Sequence, residues 1–173
     1  MKHWGLIGAE KGLHAPGRIV SDTGEIEYNY SGGYLAIATD RILAHAGKFG
    51  FDKVELGRFS LQLANEDMAV SFFSKDGQPL GVSSHVLMQA VGKVENTGME
   101  WDETKLMSIG HGPLLIDQIE GKMHVKDARA IVAYILDGEG NRVGTLPVQT
   151  EECGVCVIFD GKTAAVSYEM IIK

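Results

Sequence analysis

The sequence predicts an all-β protein, an antiparallel β-sandwich of jelly-roll-like type built from about a dozen short strands. Three observations predict this class. Short apolar or alternating segments follow one another, with turn signals about every 8–12 residues. The chain contains 22 glycines against four prolines, a composition that suits many tight turns. Nowhere does the sequence carry the apolar period of a convincing amphipathic helix.

The length of the chain limits the number of domains, and its charge limits the classes of partner. The 173 residues predict one β-sandwich domain, 18–173, after a lead-in or linker segment, 1–17. A hydrophobic content of 45% can form a core without metal or disulfide, and with only two cysteines no disulfide framework can be inferred. The sequence predicts no cofactor. A net charge of −7 without a basic cluster argues against nucleic acid and membrane surfaces as partners. The chain also lacks the apolar run of a membrane span or signal peptide.

The first strands lie between residues 25 and 46. Residues 25–30 alternate polar and apolar side chains, as in a half-buried strand, and residues 34–39 return as its hairpin partner. Residues 42–46 form a further short strand. A loop carrying Phe49 and Phe51 follows.

The next strands show period-two patterns. Within residues 54–64, alternate positions are large and apolar and share one face: Phe59, Leu61 and Leu63. Residues 68–74 form the next strand, and Asp76-Gly77 is a hairpin signal.

The stretch 82–102 holds the longest apolar strand. One face of an extended 86–94 segment is wholly apolar and predicts burial of Val86, Met88, Ala90 and Val94. Gly92 interrupts the strand, as a bulge or a close backbone approach would. The residues that follow, 96–98, predict a turn in which Gly98 takes a positive φ.

Hairpin signals also organise the C-terminal part. Residues 129–136 are nearly continuous in apolar side chains and predict a strand buried on both faces, with a buried helix at 128–136 as the open alternative. Strands at 143–148, 153–159 and 164–172 complete the sandwich, with Asp-Gly turns at 137–138 and 160–161.

Several of these segments together resemble a known domain. They are S-D-T-G-E-I at 21–26, T-D-R at 39–41, the apolar strand at 86–94, V-E-N-T-G-M-E-W at 94–101, G-P-L-L-I at 112–116 and V-S-Y-E-M at 166–170. The chain resembles the C-terminal β-sandwich accessory domain of large bacterial glycoside hydrolases over residues 18–173. The resemblance implies a non-catalytic, carbohydrate-binding-like module of an extracellular or cell-surface enzyme. Its partners would be the catalytic domain of the parent enzyme and a plant or algal polysaccharide of β-glucan, xylan, mannan or galactan type.

Aromatic residues beside polar groups are the candidate sugar contacts, because rings stack on sugar C–H faces while polar groups bind hydroxyls. The predicted carbohydrate-binding residues are Trp101, Glu100, Asp102, Asn96, Tyr30 and Tyr34. Tyr28 adjoins the two tyrosines, and Phe49 and Phe51 offer a weaker third platform. Two alternatives stay open: each ring fills the core, or it packs on a catalytic domain that the module braces without binding sugar.

The sequence predicts no catalytic residue. Glu100 and Asp102 would lie on one side of a strand, roughly 7 Å apart, but solvated carboxylates explain this spacing as well as a glycosidase pair does. The segment 81–85 is not the nucleophile elbow of a hydrolase. Cys153 and Cys156 form a lone C-x-x-C that predicts packing, with the sulfurs on opposite faces of a strand. The sequence predicts no metal site.

Overall fold

The computed structural model describes residues 14–50 and 52–173. Most of the predicted lead-in segment, residues 1–13, and Phe51 of the aromatic loop lie outside these ranges. The strands begin within the predicted lead-in, since residues 14–15 pair with residues 18–19.

The fold is all-β, and every strand pairing is antiparallel, so the predicted class is confirmed. The strands are β1 (His14–Ala15), β2 (Arg18–Val20), β3 (Ile26–Asn29), β4 (Tyr34–Ala38), β5 (Ile42–Lys48), β6 (Lys53–Leu56), β7 (Phe59–Leu63), β8 (Asp67–Ser74), β9 (His85–Val91), β10 (Val94–Thr97), β11 (Glu100–Asp102), β12 (Lys105–Ser108), β13 (His111–Ile116), β14 (Glu120–Lys126), β15 (Ile131–Leu136), β16 (Arg142–Thr145), β17 (Val148–Glu151), β18 (Gly154–Asp160) and β19 (Ser167–Ile172). They outnumber the predicted dozen because several contain only two to four residues. The described part of the chain contains no helix capable of spanning a membrane.

The strands form four sheets. The largest has ten strands in the order β1-β2-β3-β4-β5-β8-β9-β19-β15-β16, and the second has five in the order β17-β18-β14-β7-β6. Two further sheets have two strands each, β10-β13 and β11-β12. The first five strands of the large sheet follow one another as a meander, which their short turns allow.

One cluster of buried apolar side chains contains residues from both the ten-stranded and the five-stranded sheet. The predicted inner face of β7 is confirmed, since Phe59, Leu61 and Leu63 are fully buried. The Phe59 ring stacks on Phe72 of β8, with 4.2 Å between centroids. Rings of Phe159 and Tyr168 meet edge to face at 5.3 Å. Shared burial from both sheets is consistent with a β-sandwich.

Strand β9 lies in the large sheet between β8 and β19. Val86, Met88 and Ala90 are fully buried, as predicted, but the prediction for Val94 is wrong because Val94 is exposed. The strand ends at Val91, and a side chain on Gly92 would lie 2.9 Å from the Asp117 side chain. The group that approaches Gly92 is thus a side chain and not the predicted backbone, and Val94 opens a different strand.

The segment 129–136 contains strand β15, so the helical alternative is wrong. Burial on both faces is also incomplete. Val132 is exposed while Ile131 and Ala133 are buried, because one face of the ten-stranded sheet packs on the core and Val132 points to the other.

Candidate functional site

Residues 93–117, which we call the arm, carry the predicted site around Trp101. The arm is a ribbon of β10 and β13 continued by a hairpin of β11 and β12, and these strands pair only with one another within the described chain. At its base, the backbone N–H of Asp117 donates a hydrogen bond of 2.9 Å to the Lys93 carbonyl. All arm residues are described, and none of them is buried. The arm is thus an outgrowth that contributes nothing to the core.

Local hydrogen bonds hold the arm together. The Asn96 side-chain amide donates to the Ile109 carbonyl at 2.8 Å, and the Thr97 hydroxyl donates to the Pro113 carbonyl at 2.8 Å. Gly98 has φ +70°, so the predicted turn is confirmed. Asn96, a predicted sugar contact, therefore already uses an amide hydrogen to close the arm.

Trp101 is 55% exposed near the end of the arm. Its partner across the hairpin is Leu106, while Glu100 lies opposite Ser108. The structure places the three predicted residues on one exposed strand, and the pairing with β12 shifts register between Glu100 and Trp101. From strand alternation we expect the carboxylates of Glu100 and Asp102 on the face opposite the ring.

Tyr30 and Tyr34, the other predicted platform, have different environments. Tyr34 is half-buried, its hydroxyl donates to Glu27 Oε1 at 3.1 Å, and its ring stacks on His45 with 5.0 Å between centroids. Tyr30 is 54% exposed and lies 6.2 Å from the Tyr28 ring, which is 48% exposed. The rings open to solvent are therefore Tyr28 and Tyr30, while Tyr34 is engaged inside the fold.

The surroundings of Tyr28 are apolar. Its cross-strand neighbours are Ile19 on β2 and Leu35 on β4, and both are partly exposed. Tyr28 therefore forms a continuous apolar strip with its neighbours. The Tyr30 hydroxyl accepts a hydrogen bond of 3.0 Å from the Gly17 N–H, which fixes the ring near the sheet edge.

A polar groove of about 500 Å³ crosses the outer face of the five-stranded sheet. The lining residues are Lys53, Ser60, Gln62, Lys122, His124, Glu151, Glu152, Cys153 and Cys156. Sequence reasoning missed this groove, although the apolar alternation of β7 already placed Ser60 and Gln62 on the opposite face. The register that aligns β6, β7 and β14 joins distant segments, and no local signal encodes it.

Both cysteines line this groove, so the prediction that their sulfurs lie on opposite faces is wrong. Cys153 lies in the turn before β18, where strand alternation does not apply. Burial raises the pKa of the Cys156 thiol, and the nearby Glu151 carboxylate raises it further. The buried sulfur therefore stays a protonated thiol, which is a poor nucleophile.

Rings and hydroxyl-binding groups are segregated in this protein. None of the described residues that line the groove is Phe, Tyr or Trp. Conversely, Leu106 lies beside Trp101, and Ile19 and Leu35 lie beside Tyr28. Stacking and hydrogen bonding to one sugar ring are therefore not combined at any single place identified above.

A charged cluster surrounds Glu169 on the face of β19 turned away from the core. Glu169 is only 6% exposed. Its carboxylate accepts from Arg142 Nε at 2.6 Å and Lys75 Nζ at 3.0 Å, and it lies 2.6 Å from His85 Nε2. The hydrogen bond from Arg142, supported by His85 and Lys75, outweighs burial and lowers the pKa of Glu169 to about 2. A carboxylate held in this way stabilises the sheet and is poorly suited to proton transfer.

Within residues 14–50 and 52–173, no group of three or more His, Cys, Asp or Glu side chains is arranged to hold a metal ion. Comparisons with known protein families, curated proteins and solved structures find no match to this chain. The resemblance to accessory domains of glycoside hydrolases therefore stays a prediction.

Proposed function

We propose that this chain is a non-catalytic module that binds a neutral polysaccharide and tethers a glycoside hydrolase to it. The observation that carries the proposal is the exposure of three large rings, Trp101, Tyr28 and Tyr30, each about half open to solvent. Aromatic faces in water are favourable contacts for the C–H faces of sugar rings. The attached enzyme gains by an increase in its effective concentration at the polymer.

The neighbours of the rings favour one class of polysaccharide. Trp101 and Tyr28 have apolar side chains beside them, so a ligand would be recognised chiefly through its own apolar faces. Extended β-linked glucans and mannans present such faces along the chain. A net charge of −7 disfavours acidic polymers, because like charges repel. We therefore expect neutral, ribbon-like chains to bind better than uronic-acid polymers.

Affinity electrophoresis and pull-down with insoluble polymer test this proposal. The panel contains β-glucan, xylan, mannan, galactan and a polyuronate. We expect retardation by a neutral β-linked polymer, and a roughly tenfold loss in Trp101→Ala or Tyr28→Ala, about 1.4 kcal/mol. Ile109→Ala is the matched control, because Ile109 is an exposed apolar residue of the same arm but carries no ring.

Two results would overturn the sugar proposal. The first is the absence of retardation and pull-down with every polymer. The second is binding that the Trp101, Tyr28 and Tyr30 alanine variants leave unchanged, since that would place the ligand elsewhere, for example in the polar groove.

A further inference from the structure

We infer that the polysaccharide lies across the large sheet, on a track that leads from the Tyr28 ring to a cleft at the base of the arm. The inference rests on the proposed function and deepens it, because it assigns the path of the polymer and the side chains that bind its hydroxyls. The track takes one residue from each of strands β3, β4, β5, β8 and β9, namely Tyr28, Leu35, Ala46, Ala69 and Val91.

Strand register places the five track residues in one row. Each lies directly opposite the next in the strand pairing: Tyr28 with Leu35, Leu35 with Ala46, Ala46 with Ala69, and Ala69 with Val91. Opposed residues point to the same face of a sheet. That face is turned away from the core, because Met68 and Val70, on either side of Ala69, are buried in it. Four strand spacings make the row roughly 19 Å long.

The first part of the track is apolar and open to solvent. Tyr28 is 48% exposed and Leu35 is 36% exposed. Beyond Leu35 the row continues over Ala46 and Ala69, whose short side chains leave room for a chain that lies flat on the sheet. A sugar stacked on the Tyr28 ring can therefore be followed by further sugars of the same polymer.

The other end of the track enters a cleft of about 730 Å³ beside the base of the arm. Ala46, Ala69 and Val91 line this cleft, and so do the carboxylates of Asp67 and Asp117. Three of the five track residues thus belong to the cleft. The Tyr28 ring and the polar groups of the cleft are therefore parts of one continuous surface.

Polar side chains flank the row on both sides. Ser71 and Gln89 lie opposite each other, two residues along from Ala69 and Val91, and so roughly 7 Å from the row on the same face. Asp67 lies two residues before Ala69, on the other side of the row. A chain on the track would therefore have hydroxyl-binding groups to its left and right.

The charges of the cleft favour a neutral, hydroxyl-rich ligand. Glu66 and Asp67 are exposed, and the Asp117 carboxylate accepts a hydrogen bond of 3.2 Å from the Lys93 N–H. These carboxylates can accept hydrogen bonds from sugar hydroxyls, and the Gln89 amide can donate to sugar oxygens. An acidic polymer would instead meet carboxylates of like charge. The cleft therefore selects the same class of polymer that the net charge favours.

A blocking variant tests the track by affinity electrophoresis on soluble β-glucan, xylan, mannan and galactan. Ala69→Arg places a long side chain on the floor of the cleft, so retardation by the bound polymer should weaken at least about tenfold. Val132→Arg is the matched control, because Val132 is an exposed residue of the same sheet face but lies off the row. Urea denaturation should show parent-like stability for both variants, since neither native side chain belongs to the core.

Two milder variants keep the test decisive if Ala69→Arg disturbs the fold. Gln89→Ala and Asp67→Ala each remove one hydrogen-bonding group from an exposed position, and each should weaken binding about three- to tenfold. Gln149→Ala is the control for Gln89→Ala, because Gln149 is an exposed glutamine of the five-stranded sheet. Binding by this control should be unchanged.

Chemical-shift mapping locates the ligand on the parent protein. Titration with a β-1,4-linked tetrasaccharide of glucose or of mannose should shift the amides of residues 67–71 and 89–91. Shifts confined to the arm would overturn the track and leave Trp101 as the sugar contact.

The failure of the track can be distinguished from the failure of the proposed function. If no polymer retards the parent protein, the proposed function fails and the track fails with it. If Tyr28→Ala weakens binding while Ala69→Arg, Gln89→Ala and Asp67→Ala leave it unchanged, the track alone is overturned. Loss of binding in these variants, with Val132→Arg and Gln149→Ala unaffected, would support both.

Discussion

Strands β9 and β13 are similarly apolar and have opposite environments. Strand β9 lies between two neighbours in the ten-stranded sheet, and its residues Val86, Met88 and Ala90 are fully buried. Every residue of β13 is exposed, including Leu114 and Leu115. The difference comes from long-range pairing: β9 pairs with β19 from the far end of the chain, while within residues 14–50 and 52–173 β13 pairs with β10 alone. The environment of an apolar strand is therefore decided by its long-range partners and not by its own composition.

The largest expected effect contrasts one residue from each strand. Met88→Ala removes a fully buried side chain and leaves a cavity, so we expect the free energy of unfolding to fall by about 2–5 kcal/mol. Leu115→Ala, measured in dilute solution, should change it by less than about 0.5 kcal/mol. Urea denaturation followed by fluorescence measures both. Similar losses in the two variants would mean that the arm belongs to the core after all.

The second prediction concerns acid stability of the sheet that contains β9. The fold lowers the pKa of Glu169 to about 2 from a value near 4.5 in the unfolded chain. Its contribution to the free energy of unfolding is therefore complete above pH 4.5 and is lost as the pH falls toward 2. We expect a loss of about 1–2 kcal/mol across this window, because the exposed portions of Lys75, His85 and Arg142 weaken the pairing by solvent screening.

Glu169→Gln is the control for this acid transition. The variant should be less stable at pH 6 and should lose the additional decline between pH 4.5 and pH 2. Thermal unfolding of both proteins at several pH values measures the difference at pH 6 and the decline toward pH 2. A decline that is unchanged in Glu169→Gln would assign the acid sensitivity to other carboxylates.

The smallest expected effect is a local opening of the arm that leaves the stability of the sandwich unchanged. Asn96→Ala removes the hydrogen bond of 2.8 Å to the Ile109 carbonyl, so the arm should open more readily, by about 0.5–1 kcal/mol. Global unfolding should stay within about 0.5 kcal/mol of the parent value, because no arm residue contributes to the core. Amide exchange in the arm measures the first effect and urea denaturation the second. A global loss of several kcal/mol would show that the arm and the sandwich unfold together.

The sequence predicts the features that depend on neighbouring residues. Alternation along β7 and β9 identifies the buried faces, and the turn at 96–98 follows from residue type, with Gly98 at φ +70°. The same alternation that placed Glu100 and Asp102 together also separated them from the Trp101 ring, a consequence that inspection of the sequence could have drawn. Pairing between distant strands is different, because apolar segments do not encode their partners. For this reason the arm, the exposure of Val94 and the polar groove emerge only from the structure.

Hydrogen exchange of β9 and β13 in one experiment tests the central claim most directly. Amides of residues 85–91 should be strongly protected, while those of 111–116 should exchange rapidly, because β9 lies inside the ten-stranded sheet and β13 is exposed. Protection of 111–116 equal to that of 85–91 in dilute protein would contradict the account.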